Sequence, residues 1–382
     1  MAHPIDFSEL AKMVNCNSYS KNKTGIDENA EIFKAWMQPL GFSCQTFARE
    51  HIGNHVLFSS AKTAGKKILL LGHLDTVFPP GTFVQFSEDN QWVYGPGVCD
   101  MKGGNFVALN ALRQLKATLG DIHNVDMLLV SDEETGSDDS KQLSSKLAKN
   151  YDYCFVFEAA GAQHEIVIAR KGVATFTIDL IGKAAHAGNH YQQGINANLA
   201  AAKMIIELTE LTDLDKNTTV NVGKINGGIG ANTISPSAQL IVEARFTCIQ
   251  EKLRLLESIA HLVDNPRVAG VEVNINGGVQ RDVMSPSKGQ MQLVDTLSSV
   301  LGHPLKTESR GGVSDANTMS AAGLITLDGF GPFGDGDHTI YERAEKASFA
   351  RRIHEMSQIL LHFCSPVHAN KLSHTAAKAS AA

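Results

Sequence analysis

The chain has 382 residues, of which 43% are hydrophobic and 19% are charged, and its formal net charge is -6. This length exceeds what one ordinary hydrophobic core can serve, so we expect two domains. The negative charge and the lack of a long basic run argue against nucleic acid as a partner. No apolar run approaches the roughly 20 residues that span a bilayer, and the N-terminal residues lack the segments of a signal peptide. We therefore expect no membrane partner.

The cysteines are scattered, and no two of them form a Cys-x-x-Cys pair. Such spacing favours free thiols in a reducing compartment over a disulfide framework or a thiolate zinc site. A cytoplasmic location is therefore expected. The six residues are Cys16, Cys44, Cys99, Cys154, Cys248 and Cys364.

The first part of the chain alternates helices with continuous apolar strands. An amphipathic helix is predicted over 26–38, before Pro39, and a second runs from about Gly104 to Gly120. Buried strands that alternate with helices are typical of a mostly parallel α/β sheet flanked by helices. The predicted strands are HVLFSS (55–60), KKILLLGHLD (66–75), VDMLLVSDEE (125–134) and DYCFVFEAA (152–160).

A different pattern begins near Lys171, where strands alternate apolar and polar residues as in a sheet with one solvated face. The order strand-helix-strand-strand-helix-strand is that of a ferredoxin-like α+β domain. The predicted strands are 172–182, 218–225, 238–246 and 271–275, and the helices lie around 199–206 and over 250–263.

The α/β pattern resumes with a helix at 291–302 and a strand at 323–331. We therefore expect an inserted α+β domain at 172–284, and a catalytic metal-binding domain built from 1–171 and 285–382. The segment after Pro366 has little apolar content and is expected to be mobile.

Acids and imidazoles follow three of the predicted strands. His73 ends the strand LLLG, Glu133 and Glu134 follow MLLVSD, and Glu158 follows CFVF. In an open α/β sheet the ligand crevice lies at the carboxyl ends of the strands, so these side chains are expected to meet at one edge. An unpaired carboxylate at the end of an apolar strand is costly, which favours a ligand role for Glu158.

Two glycine-rich loops supply further candidates. YGPGVCDMKGG carries Asp100, and GFGPFGDGDHT carries His338, with Asp335 and Asp337 as alternative ligands in the same loop. Histidine nitrogens and carboxylate oxygens without thiolates suit Zn²⁺, Mn²⁺ or Co²⁺ in an open catalytic site.

The spacing of these residues suggests a different role for each of them. His73 and Asp75 point the same way in extended chain, so Asp75 can accept the second ring N–H of His73 and fix its tautomer. Two histidines and three carboxylates, one of them shared, would give each of two cations three protein ligands. One residue of the pair Glu133–Glu134 must then stay off the cations to act as general base.

Seven motifs in this order resemble the co-catalytic zinc exopeptidases, which include glutamate carboxypeptidase, aminoacylase, succinyl-diaminopimelate desuccinylase and peptidase T. YGPG before the aspartate is similar to the glutamate carboxypeptidase branch. The motifs are GHLDTV (72–77), YGPGVCDMKGG (94–104), SDEETGS (131–137), FEA (157–159), AHAG (185–188), RGGVSDA (310–316) and GDGDHT (334–339).

The resemblance implies a role for each matching residue of the first domain. It implies a cis peptide between Asp100 and Met101, Glu133 as general base, and Asp75 as the residue that orients His73. It also implies two cation sites: His73, Asp100 and Glu158 at one, and Asp100, Glu134 and His338 at the other.

The inserted domain resembles the lid and dimerisation domain of the same family. There His186 would stabilise the tetrahedral oxyanion, commonly in the site of the partner subunit. Asn232 and Arg245 match positions that hold the free carboxylate of the substrate, and Arg310 is a further candidate in a loop that aligns only with an offset. Arg245 could instead form a surface ion pair with Glu243, and His186 could be an ordinary loop histidine.

These inferences predict metal-dependent hydrolysis of an amide or peptide bond next to a free carboxylate, by a water that two cations activate. The expected cations are Zn²⁺, with Co²⁺ or Mn²⁺ as alternatives, and the substrate is a small peptide or N-acyl amino acid. A homodimer through the inserted domain is expected. The alternatives are an N-acyl amino acid deacylase of the aminoacylase or desuccinylase type, and a catalytically silent relative.

Overall fold

The apolar runs of the sequence form the strands of two main sheets in the computed structural model, which describes residues 5–365. The segment after Pro366 lies outside the described residues. The helices are α1 (Ser8–Asn15), α2 (Lys23–Met37), α3 (Lys102–Leu119), α4 (Ser140–Ala148), α5 (Ala197–Glu210), α6 (Ile249–Asp264), α7 (Lys288–Leu301), α8 (Asp315–Ala321) and α9 (Lys346–Cys364).

The strands of the described chain are numbered in sequence order as well. They are β1 (Ser43–Phe47), β2 (His55–Ser59), β3 (Ile68–His73), β4 (Ser87–Glu88), β5 (Trp92–Tyr94), β6 (Val125–Val130), β7 (Tyr153–Val156), β8 (Ile166–Arg170), β9 (Gly172–Ile181), β10 (Thr219–Gly227), β11 (Ser237–Phe246), β12 (Glu272–Arg281), β13 (Thr307–Arg310), β14 (Ile325–Leu327), β15 (Gly334–Asp335) and β16 (Arg343–Glu345).

The chain divides into two units with separate hydrophobic cores. The first unit contains the residues up to Ala169, Pro286–Arg310, and the residues from Ser314 onward. The second unit contains Arg170–Ser285 and Gly311–Val313.

A six-stranded sheet with the order β1-β2-β6-β3-β7-β14 forms the centre of the first unit. The strands β6, β3, β7 and β14 run parallel, whereas β2 is antiparallel to β6 and β1 to β2. Every residue of β3 and β6 is buried, as expected for strands covered on both faces. The predicted mostly parallel mixed α/β sheet is confirmed.

The two predicted helices of the first part are found with shifted starts. α2 begins at Lys23, three residues before the predicted start, because the Asn22 side chain accepts the N–H of Gly25 and caps the helix. α3 begins at Lys102, and Gly120, at a φ of 80°, follows its last residue. No prediction was made for α1, α4, α8 or the 19-residue α9.

The second unit is an antiparallel sheet with the order β10-β11-β9-β12. Numbered within the unit this order is 2-3-1-4, and with α5 after β9 and α6 after β11 it is the predicted ferredoxin-like arrangement. Phe176, Ile178 and Leu180 of β9 are buried in the core, and they alternate with half-buried polar residues. β12 is twice as long as predicted and continues through Gly277 and Gly278, both at positive φ.

Among the described residues, no helix is both long and apolar enough to cross a membrane.

Candidate active site

The carboxyl ends of three parallel strands bring the first set of predicted site residues together. His73 is the last residue of β3 and is level with Val130, the last residue of β6. Glu133 and Glu134 lie in a short 3-10 helix that follows β6. Glu158 follows β7, whose Val156 is level with Leu71 of β3. Neighbouring parallel strands therefore deliver an imidazole and carboxylates to one edge of the sheet, as predicted.

Asp100 reaches this edge from the loop between β5 and α3. Its peptide bond to Met101 is cis, which confirms the prediction. α3 starts directly afterwards and packs very closely on the sheet. A Cβ added to Gly104 would lie only 1.9 Å from the carbonyl oxygen of Phe157. Glycine at this position therefore lets the Asp100 loop approach the strand end that carries Glu158.

The side chains form a cluster around Asp100. Its Oδ1 lies 3.0 Å from Nε2 of His73, and its Oδ2 lies 3.3 Å from Nε2 of His338. His338 Nε2 is also 3.1 Å from Oε2 of Glu134. Glu158 Oε1 lies 3.8 Å from His73 Nε2. The Asp100 carboxylate is therefore shared by two groups of ligand atoms. One group surrounds His73 and the other surrounds His338.

Burial and mutual charge explain the electrostatics of this cluster. Burial raises the pKa of Glu134 to about 7, and burial and the charge of Asp100 raise the pKa of Glu158 well above its usual value. Burial also acts to raise the pKa of Asp100, but hydrogen bonds from His338 and His73 hold that pKa below its usual range. Hydrogen bonds to Asp100 and Glu134 raise the pKa of His338 to about 11. The cluster therefore favours positive charge at its centre.

Asp75 contacts both His73 and the glutamate pair. Nδ1 of His73 lies 3.0 Å from the main-chain oxygen of Asp75 and 3.5 Å from its Oδ1. The carboxylate accepts the N–H groups of Glu133 and Glu134, each at 3.2 Å, and the hydroxyl of Ser20 at 2.8 Å. Asp75 thus contacts the imidazole mainly through its main-chain carbonyl, while its carboxylate bonds to the turn that carries both glutamates.

The alternative ligands in the glycine-rich loop are placed differently from His338. Asp335 pairs with Arg343 at 2.8 Å on the surface. Burial raises the pKa of Asp337, whose carboxylate also interacts with the buried thiol of Cys99. Of the three candidates in this loop, His338 therefore makes the direct contacts with Asp100 and Glu134.

Arg310 lies in the first unit, on β13. Its Nε donates to Oε1 of Glu308 at 2.7 Å, and its Nη1 donates to the carbonyl oxygen of Ala159 at 2.9 Å. Ala159 follows Glu158 in the chain, and the charge of Arg310 acts on Asp337. Arg310 is thus close to the cluster but is already held by a carboxylate and a carbonyl.

The other three predicted residues belong to the second unit. Nδ1 of His186 accepts the N–H groups of Gly188 and Asn189 at 3.2 and 3.1 Å. The carbonyl oxygen of Asn232 accepts the N–H of Ala187 at 2.9 Å. Asn232 and His186 therefore lie on paired segments. Arg245 pairs with Glu243 at 2.7 Å and donates to the carbonyl oxygen of Gly311.

Glu342 and Ser20 are among the residues that contact the site residues but were not predicted from the sequence. Glu342 is buried and accepts the N–H groups of Gly97, Cys99 and Asp100. Ser20 donates to Asp75. Glu342 follows His338 by four residues, which is the one sequence signal that could have drawn attention to it. Nothing in the sequence around Ser20 indicates its contact.

Imidazoles and carboxylates at the ends of parallel strands point to the class of metal-dependent hydrolases. Residues 69–362 match the model for peptidase family M20/M25/M40. This match covers well over half of the chain, and the chain belongs to that family. It is therefore a hydrolase of peptide or amide bonds, and its family is metal-dependent.

Two relatives and one solved structure are similar to this chain over most of its length. Carboxypeptidase G2 of Pseudomonas sp. (strain RS-16) is 27% identical over 369 residues, which cover 94% of this chain and 89% of that protein. A succinyl-diaminopimelate desuccinylase of Xylella fastidiosa is 24% identical over 81% of this chain and 86% of its own length. The structure of a tripeptidase from Staphylococcus aureus has a TM-score of 0.77 at 21% identity, covering 95% of this chain and 98% of its own. This last likeness shows a shared fold.

The donor atoms fit a divalent cation. One ligand atom each from His73, Asp100 and Glu134 lies within 4.8 Å of the others. Nitrogen and carboxylate oxygen donors suit Zn²⁺, Co²⁺ and Mn²⁺. Burial and the charge of Asp100 raise the pKa of Glu134 and Glu158, and a cation would offset both effects.

Proposed function

We propose that this protein is an exopeptidase of the glutamate carboxypeptidase type, which hydrolyses an amide or peptide bond next to a free carboxylate. The observation that carries the proposal is the position of Asp100, whose two oxygens face two different histidines. A carboxylate shared in this way would suit a site that holds two divalent cations. The 27% identity to a carboxypeptidase supports the substrate class.

Two divalent cations, with Zn²⁺ as the expected ion and Co²⁺ or Mn²⁺ as alternatives, would be held by five side chains. His73, Asp100 and Glu158 would hold one, and Asp100, Glu134 and His338 the other. When bound, such cations polarise the scissile carbonyl and lower the pKa of a water molecule. The separations around each histidine support this division, with Asp100 and Glu158 near His73 and with Asp100 and Glu134 near His338.

Glu133 would take a proton from the attacking water and deliver it to the leaving amine. Its neighbour Glu134 contacts His338. The charge of Glu133 contributes to the raised pKa of Glu158, so the Glu133 carboxylate lies near the cluster. Asp75 would hold this base in place, because its carboxylate accepts the Glu133 N–H.

His186 would donate a hydrogen bond to the tetrahedral oxyanion. Because its Nδ1 accepts two main-chain N–H groups, the neutral ring carries its proton on Nε2, where it can act as a donor. Asn232, on the segment paired with His186, and Arg245 would bind the free carboxylate of the substrate, with Arg310 as a further candidate. A substrate carboxylate would have to replace Glu243 as the partner of Arg245.

A homodimer through the second unit is part of this proposal. Ile206, Ile225 and Ile229 of that unit are more than half exposed, and a partner would cover such side chains. The free state of all six cysteines supports a reducing, cytoplasmic compartment.

The second candidate function is that of an N-acyl amino acid deacylase. The 24% identity to a desuccinylase over most of both chains favours it. Both functions use the same chemistry and differ in the group on the acyl side of the scissile amide. The choice therefore depends on the substrate-binding residues and not on the cluster.

The test is hydrolysis of a substrate panel by Zn²⁺-loaded protein, with Glu133→Gln as the control. The panel should pair peptidyl-glutamates with N-acetyl and N-succinyl amino acids of the same C-terminal residue. Faster cleavage of the peptidyl compounds supports the carboxypeptidase, and faster cleavage of the acyl compounds supports the deacylase. Two bound cations without cleavage of any compound would instead indicate a catalytically silent relative.

A further inference from the structure

We infer that Glu342 is a positioning residue, whose carboxylate sets the Asp100 loop in the geometry that lets one carboxylate serve two cations. The inference deepens the proposed function and rests on it. Glu342 touches neither a predicted ligand atom nor a predicted substrate atom, so its effect would be carried through the main chain of Asp100.

The carboxylate of Glu342 accepts hydrogen bonds from main-chain N–H groups of one loop. Glu342 is 0% exposed. Its Oε1 accepts the N–H groups of Cys99 and Asp100 at 2.9 and 3.0 Å, and its Oε2 accepts the N–H of Gly97 at 3.0 Å. Burying a charged group is costly unless hydrogen bonds replace its water, and these three bonds offset part of that cost. The acid is thus committed to one loop.

The loop that carries Asp100 needs a contact from another part of the chain to hold it in one conformation. Gly95 and Gly97 have φ angles of 147° and 83°, which other residues rarely adopt. Glycine permits these conformations but also leaves the chain free to adopt many others. The carboxylate of Glu342 bonds to Gly97 and to the two residues at the end of the loop, so it selects one conformation immediately before the Asp100 side chain.

Glu342 also connects this loop to the second histidine. It lies four residues after His338 in the same turn, where its N–H donates to Thr339 and the N–H of Thr339 donates to Gly336. One short segment therefore supplies His338 and fixes the main chain of Asp100. His338 Nε2, supplied by this segment, lies 3.3 Å from Asp100 Oδ2.

A general contribution to stability is the rival explanation, and Glu355 provides a matched control. Glu355 is also buried, but it forms ion pairs with Arg351 and Arg352, which lie on the same helix, α9. Glu342→Gln keeps the size of the side chain and one acceptor oxygen, whereas one of its two ends becomes an NH2 group facing main-chain donors. Glu355→Gln removes a buried charge without contact to Asp100.

The experiment measures Zn²⁺ affinity by competition with a chromophoric chelator, together with the visible absorption of the Co²⁺-loaded proteins. We expect Glu342→Gln to bind Zn²⁺ about 10–100-fold more weakly than the parent, as is typical when a group that orients a ligand is removed. Its Co²⁺ spectrum should also change. Glu355→Gln should keep the parental affinity and spectrum, even where its melting temperature falls.

Unchanged affinity and spectrum in Glu342→Gln would overturn the inference. If that variant does not fold, Glu342→Asp keeps the charge but shortens the side chain, and the same loss of affinity is expected. If neither variant folds, Glu342 is a folding residue and the inference is also overturned. Failure of the parent protein to bind two cations would count against the proposed function, which makes the two failures distinguishable.

Discussion

Oδ2 of Asp100 lies 3.3 Å from Nε2 of His338, while the other oxygen of the same carboxylate faces His73 at 3.0 Å. Asn has the same shape as Asp but replaces one acceptor oxygen with a donor NH2 group. We therefore expect Asp100→Asn to retain at most one divalent cation where the parent retains two. The measurement is metal analysis of each protein after gel filtration in metal-free buffer.

Asp335 supplies the control for this prediction. It lies three residues before His338 in the same loop but pairs with Arg343 on the surface. Asp335→Asn should keep the metal content of the parent. Equal metal content in the two variants would show that Asp100 is not the shared ligand.

Glu133 and Glu134 should respond differently to the same substitution. Glu133→Gln removes the proposed general base but keeps the N–H that donates to Asp75, so kcat should fall by about 10²–10⁴-fold with cation content unchanged. Glu134→Gln should lower the cation content, because its Oε2 lies 3.1 Å from His338. Steady-state kinetics and metal analysis of both variants check this, and the reverse pattern would mean that the two roles are exchanged.

Asp75 should be more sensitive than the hydroxyl that donates to it. Asp75→Asn turns one acceptor towards the N–H groups of Glu133 and Glu134 into a donor. We expect kcat to fall about 10–100-fold, as is typical for groups that orient a ligand. Ser20→Ala removes the hydroxyl that donates to Asp75 at 2.8 Å and lies 3.4 Å from the carbonyl oxygen of Thr76, so it should cost about 1 kcal/mol of unfolding free energy and leave kcat within a few-fold. A larger kcat loss in Ser20→Ala would contradict this order.

The strand ends of the candidate site were predictable because local patterns determine them. The apolar runs before His73, Glu133 and Glu158 mark buried strands, and buried parallel strands align their carboxyl ends. The ferredoxin-like order of the second unit follows in the same way from alternating strands. Helix and strand ends were less predictable, since caps such as the Asn22 side chain decide them.

Contacts between distant parts of the chain were out of reach. The carboxylate of Glu342 bonds to main-chain groups 242 to 245 residues away. Main-chain donors carry no residue type, so the sequence has no pattern that marks such a contact. Asp75 shows the same limit: its adjacency to His73 was informative, but its bonds to the glutamate turn depend on the three-dimensional path after β6.

Gly104 should be intolerant of even one added methyl group. A Cβ at this position would lie 1.9 Å from the Phe157 carbonyl oxygen, and neither the helix nor the strand end can move away easily. We expect Gly104→Ala to lose about 3 kcal/mol of unfolding free energy, at the upper end for overpacking, and to weaken Zn²⁺ binding. Gly311→Ala is the control, because nothing lies within 4 Å of its added Cβ. Urea unfolding and chelator competition measure the two effects.

Glu251 should make the second unit sensitive to acid. Hydrogen bonds from Arg254 lower the pKa of Glu251 to about 2 from an ordinary 4.5. A carboxyl group whose pKa is lower in the folded state stabilises the fold above its unfolded pKa, and this contribution is lost as the pH falls from about 4.5 towards 2. Glu251→Gln should therefore cost about 2 kcal/mol at pH 7.

The cost of Glu251→Gln should shrink when the pH falls below 4.5, because the parent then loses the same contribution. Glu257→Gln is the control on the same helix, since Glu257 is exposed and a surface substitution usually changes stability by less than about 0.5 kcal/mol. Urea unfolding of the parent and both variants at several pH values measures this. A difference between the parent and Glu251→Gln that stays constant with pH would show that lost packing, and not the charge of Glu251, destabilises the variant.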